Sequence, residues 1–183
     1  MRRTAARRSV GPVTGTGART VLADGFERVP PALRRALEGV DIAGRTWRPG
    51  PRANTLAWLV WHTARVQDAQ VAPLAGVEQV WTADGWAARL ALPFAADATG
   101  YGQSPADVAR VDADPALLLG YLDATTAQTL AYLERIDDDD LGTVVDEEWD
   151  PPVTLGVRLV SVLADCLEHT GQAAYLRGLL DAR

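Results

Sequence analysis

The chain has 183 residues, 48% of them apolar, with a formal charge of −6 and a pI near 4.9. That length supports a single domain with a real core. The acidic balance excludes the basic surface that nucleic-acid binding needs, and no apolar run approaches the roughly 18 residues of a membrane-spanning helix.

All eighteen basic residues are Arg, which reads as the coding bias of a GC-rich genome. The single cysteine, Cys166, cannot close an internal disulfide, so a reducing cytoplasm is the expected compartment. Arg2, Arg3, Arg7 and Arg8 precede no apolar stretch, so the N-terminus makes a poor signal peptide. Gly, Thr and Pro dominate Gly11 to Gly17. Residues 1–17 are therefore expected to be a disordered tail, and 18–183 the folded domain.

Four long helical segments follow. The first spans about Ala18 to Glu38, with Val21, Leu22, Phe26, Val29, Leu33 and Leu37 at helical spacing. Pro30 and Pro31 should kink or split it. The second spans about Thr55 to Leu74, with Asn54 as the expected N-cap. Leu56, Leu59, Val60, Thr63 and Val66 form its inward stripe, and the polar Arg65, Gln67 and Asp68 follow. From Val77 to Asp114 the chain is irregular and rich in Trp, Gly and Pro. Short helices are expected near Gly85–Leu90 and Pro105–Val111. A connection this long is usually functional, and its aromatics could line a mouth over the bundle.

The third helix should begin at Asp114-Pro115, a cap followed by proline at the first helical position, and end near Arg135 or Ile136. The acidic run Asp137 to Asp140 reads as a solvated turn, because four consecutive acids cannot converge on one ion from a helix. Thr143 to Val145 is a candidate short strand. Asp150-Pro151-Pro152 breaks the chain, and Thr154 can cap a fourth helix reaching about Leu180. The expected architecture is all-α: a four-helix bundle with a long connection between its second and third long helices.

The two histidines, His62 and His169, both fall within long helices. On the fourth helix, Ser161, Asp165, His169, Gln172 and Leu176 lie along one stripe, with Asp165 and His169 one turn apart. Buried polar residues on such a stripe need partners. A metal would supply them: two His and one carboxylate form a common zinc set with an open position and the facial triad of ferrous iron. Nickel and manganese are further candidates. On residue types alone, an ordinary hydrogen-bonded i,i+4 pair accounts for Asp165 and His169 equally well. Cys166 competes as a ligand but suits a small core residue, and Glu168 should face water. Trp58 and Trp61 flank His62 and suit core packing more than stacking on a ligand. Arg177, two turns beyond His169, could anchor an anionic substrate group or serve as a surface cap. No glycine-rich phosphate loop, Ser-His-Asp set or CxxC is present, so no catalytic group separate from the metal site is expected.

Two motifs resemble the DinB-like superfamily of four-helix bundles: Asn54-Thr55-Leu56-Ala57-Trp58-Leu59-Val60-Trp61-His62-Thr63-Ala64-Arg65 and Asp165-Cys166-Leu167-Glu168-His169-Thr170-Gly171-Gln172, the latter extended by Tyr175, Leu176 and Arg177. The likeness spans about Val21 to Leu180. It implies a divalent metal, zinc first, held by His62, Asp165 and His169. Many relatives carry His-x-x-x-His on the last helix, whereas Asp165 takes the first of those positions here. An acid followed by His at that spacing is similar to the branch of mycothiol-dependent maleylpyruvate isomerase and related thiol S-transferases. The resemblance therefore implies transfer of a low-molecular-weight thiol (mycothiol, bacillithiol or glutathione) to a small electrophile, with Arg177, Gln172, Trp61 and Tyr101 as substrate contacts and a homodimer as the assembly. A non-catalytic metal- or small-molecule-binding bundle, or a metal-dependent isomerase or hydrolase, is the alternative.

Overall fold

The computed structural model describes residues 17–183; the tail expected over residues 1–17 lies, but for Gly17, outside the described residues. The first helical segment is split as its prolines require, into α1 (Ala18–Glu27) and α2 (Val29–Leu37), with Pro30 and Pro31 in the first turn of α2. There the missing N–H groups cost nothing, because first-turn donors have no helical partner. A single turn, α3 (Ile42–Arg45), follows. The other rods are α4 (Leu56–Ala75), α8 (Pro115–Arg135) and α9 (Leu155–Asp181). Within the connection lie the short α5 (Val80–Ala83), α6 (Trp86–Leu90) and α7 (Pro105–Val108). None of the described helices is long and apolar enough to cross a membrane.

The bundle closes as a square. α4 packs along both α8 and α9, while the α1/α2 rod fills the opposite corner between the same two helices. The core runs through Phe26, Val29, Leu33, Leu56, Leu118, Leu122 and Leu159, all with no exposure. Gly25 and Gly120 mark close approaches. A Cβ at Gly25 would lie 2.5 Å from Leu163, and one at Gly120 would lie 2.7 Å from the Trp86 ring.

Two local features depart from the sequence-based expectation. The cap of α4 is Thr55, not Asn54: its extended backbone lets Oγ1 accept from the Trp58 N–H at 3.0 Å. Asn54 instead reaches across to Gln172 on α9 (3.4 Å). The strand near residue 144 is β1 (Val144–Asp146), and it pairs antiparallel with a second, β2 (Val153–Thr154). A two-residue strand has no periodicity to read. Thr154 serves both elements, because its side chain also caps α9 through Val157 N–H.

The acidic run is exposed, as a turn should be, but one member has a distant role. Asp138 accepts from the backbone N–H groups of Ala18 and Arg19, each at 3.0 Å. It thereby caps α1, whose own N-cap is Gly17 with no side chain to do so. Asp138→Ala should lower stability by about 1 kcal/mol, the usual worth of a cap. Asp139→Ala should leave the melting temperature unchanged, since the Asp139 side chain accepts no hydrogen bond among the described residues. Equal melting temperatures for the two variants would contradict the cap assignment.

Candidate metal centre

α4 sends Trp58 and His62, one turn apart, towards α9. Their rings stack at 4.3 Å with 16° between planes. His62 is only 5% exposed. Its Nδ1 donates to the Thr99 carbonyl at 2.6 Å. A carbonyl can only accept, so this contact fixes the tautomer and leaves the Nε2 lone pair as the atom that could ligate a cation. Burial lowers the pKa of His62, against the opposing pull of the Thr99 carbonyl, so the ring is held neutral.

Gly100 follows Thr99 with φ of +97°, a conformation that favours glycine. A Cβ there would lie 2.5 Å from His62 Nδ1 and 3.1 Å from both Trp58 and Trp61. The next residues continue the wrap, and Trp58 Nε1 donates to Gln103 at 2.7 Å.

On α9, His169 meets His62 edge to face at 4.7 Å and lies with its Nε2 3.5 Å from Asp165 Oδ1. One ligand atom from each of His62, Asp165 and His169 lies within 4.8 Å of the others. Two buried atoms of this cluster, Asp165 Oδ2 and His169 Nδ1, have no hydrogen-bond partner among the described residues. Burial works against charge on both residues. The His169 contact and the nearby imidazoles nevertheless lower the Asp165 pKa, and Asp165 raises that of His169. Two imidazoles and a carboxylate that converge with unsatisfied atoms fit a divalent cation, and these three residues could hold one.

Cys166 is fully buried on the adjacent face, with Sγ about 4 Å from Thr63 O and Gln67 Oε1. Burial pushes its thiol pKa far up, which makes it a core residue rather than a nucleophile. Glu168 is exposed.

The expected substrate contacts fall in different places. Tyr101 is 92% exposed at the rim of a groove that ends at Asp165. Gln172 sits one turn beyond His169, in a second groove with Asn54. Trp61 is buried and packs on Phe94 at 5.5 Å, beneath Gly100. Arg177 donates to the Ala36 and Glu38 carbonyls and to Asp181, so its guanidinium closes the C-terminal end of α2.

A second polar group was not legible in the sequence. Arg65 and Asp68, which periodicity leaves as unassigned polar positions, are both almost fully buried. Arg65 donates to the Ala98 carbonyl (3.1 Å), to Gln79 (2.9 Å) and to the Tyr121 hydroxyl (3.2 Å). Asp68 accepts from the backbone N–H groups of Val80 and Trp81 and from Tyr121 (2.8 Å). The two charges lie 3.8 Å apart. This network clamps both ends of the first half of the connection onto α4, and Ala98 immediately precedes the residue that holds His62. The one available signal was the i,i+3 spacing of opposite charges, which is common on exposed helices.

The bundle and its His–Asp–His cluster define a helical protein equipped to hold a metal. The family model described as mycothiol S-transferase matches residues 21–182, and the chain belongs to that family, a branch of the DinB-like bundles. The crystal structure of a conserved protein from Enterococcus faecalis superposes with a TM-score of 0.85 at 31% identity, over 92% of this chain and 100% of that one. No curated relative matches the chain.

Arg65→Met should cost about 3–5 kcal/mol in chemical denaturation, because it strands the buried Asp68 charge. Gly100→Ala should weaken divalent-metal binding measured by calorimetry, since the added methyl displaces His62. An alanine variant that binds metal as tightly as the native protein would show that the Thr99–Gly100 turn does not position His62.

Proposed function

We propose that the protein is a divalent-metal-dependent transferase that joins a low-molecular-weight thiol, mycothiol, to a small electrophile. The observation that carries this is the cluster itself: His62, Asp165 and His169 converge from two helices, and two of their buried polar atoms lack a partner among the described residues. Such atoms cost about 1–3 kcal/mol each if nothing ever satisfies them. Membership of the mycothiol S-transferase family supports the choice of thiol.

His62, Asp165 and His169 are the ligands, and zinc is the first candidate for the ion. A bound cation supplies Lewis acidity, lowering the pKa of a thiol brought to it so that the sulfur is nucleophilic at neutral pH. The chain does the remaining work. Thr99 holds His62 in the ligating tautomer. The stacked Trp58 ring fixes the imidazole plane and excludes water from its face. Asp165 contributes the negative charge that favours the cation. Tyr101 and Gln172, on either side of the cluster, are placed to touch the reactants.

Metal analysis of the purified protein should find close to one divalent ion per chain. His62→Ala and His169→Ala should each abolish tight binding, and removal of the ion should abolish conjugation of mycothiol to an electrophile. Metal-free protein that conjugates at the full rate would refute the mechanism. Metal binding without any conjugation would leave a non-catalytic bundle.

A further inference from the structure

The cluster of His62, Asp165 and His169 is enclosed on three sides. The connection covers His62: the Thr99 carbonyl is 2.6 Å from Nδ1, and Gly100 packs so close that a Cβ there would collide with the imidazole and crowd the Trp58 ring. Beneath lies the core, where Cys166 has no exposure. Towards the end of α9, the Asn54 amide donates to Gln172 at 3.4 Å and ties α4 to α9. A groove of about 350 Å³ lies against this tie, and none of the three cluster residues lines it.

The remaining side is open at Asp165, whose side chain is 34% exposed against 14% for His169. Asp165 lines a groove of about 670 Å³ that follows α4 and α9 away from the cluster. That volume lies in the range of small-molecule sites, about 300–1,000 Å³. On the α4 side are Val66 and Gln70, one and two turns beyond His62. On the α9 side are Ser161 and Val157, one and two turns before Asp165. Arg158 joins these walls about 10 Å along α9 from Asp165. Its guanidinium bonds to Gln70 (2.8 Å) and to Asp146 (2.6 Å), so its charge is met there and not at the cluster.

In the transferase proposed above, a sulfur must reach the cation. Resting on that reading, we infer that the thiol enters along the 670 Å³ groove and arrives over Asp165, and that Ser161 sets the width of the passage. Three protein ligands leave a fourth position open at a catalytic zinc, and with the other sides closed that position faces the groove. The thiol proton passes to water as a sulfur lone pair forms the bond to the cation. Ser161 is small and exposed. A large side chain at its position leans towards the start of α9, which is along the groove, so it fills the passage without displacing the cluster.

The test uses the full chain loaded with cobalt(II), because a thiolate bound to cobalt gives a charge-transfer absorption. Mycothiol should raise this band saturably in the native protein. Ser161→Trp should raise the half-saturating mycothiol concentration about tenfold and leave cobalt affinity, measured by calorimetry, unchanged. Val157→Trp, one turn further out, carries the same expectation and decides the matter if Ser161→Trp does not fold. Ala53→Trp, in the groove beyond the Asn54–Gln172 tie, should change neither reading. An undiminished mycothiol response in Ser161→Trp, or an equal loss in Ala53→Trp, would overturn the route. Loss of cobalt affinity together with the band would make Ser161 a support of the metal and overturn its role in the passage. Native protein that binds cobalt but develops no band with mycothiol would defeat the transferase reading itself, a result distinct from a normal native band that the tryptophan variants fail to weaken.

Discussion

The hydrogen bond from His62 to the Thr99 carbonyl is the contact on which the site depends, and it exists only because the connection between α4 and α8 is held down. A 2.6 Å contact to a main-chain oxygen requires the chain to come within touching distance of α4 there. Gly100 permits that approach. The Arg65–Asp68–Tyr121 network enforces it, by gripping the backbone at Val80 and Trp81 on one side and at Ala98 on the other. Burying two charges is expensive in itself. Here each is met by several hydrogen bonds, including three to main-chain groups that an apolar pair of equal volume would have left unpaired. The polar clamp therefore gives the connection one position over the helix.

That arrangement explains why α4 is buried nearly all round although two of its sides suffice for a bundle. α8 and α9 cover two faces, and the connection covers a third. The covered face carries His62 of the candidate metal centre. Trp58, His62 and Arg65 point under the connection at successive turns, and each holds it by a polar contact: to Gln103, Thr99 and Ala98 respectively. The stability of the connection and the placement of His62 are one set of interactions.

The cluster on α9 shows the opposite balance. Asp165 and His169 meet only at 3.5 Å, and each keeps a buried atom without a partner among the described residues. A well-packed structural pair would close that distance or turn outward. Groups that could hold a cation carry this signature, and its cost is offset by the rest of the bundle. Other polar residues of α9 are saturated by comparison: Thr170 bonds its own helix, and Arg177 closes α2.

The sequence by itself determined the long helices and their order, though not the single-turn α3 and α5, because apolar period, proline position and capping residues are local properties of the chain and a single turn is too short to show them. It split the first rod at Pro30 and Pro31, started α8 at Asp114-Pro115 and α9 after Thr154, and put Asp165 and His169 on one face, since an i,i+4 spacing has that consequence in any helix. It also marked His62, by the rarity of histidine in the chain. Only the tertiary structure decided that Thr55 and not Asn54 caps α4, that Asp138 caps a helix 120 residues away, that Arg65 and Asp68 are interior and that Arg177 faces α2. In each case the partner lies on another element or is fixed by the exact backbone at a junction. Periodicity assigns a residue to a face of its helix, but what that face meets depends on how the rods and the long connection pack.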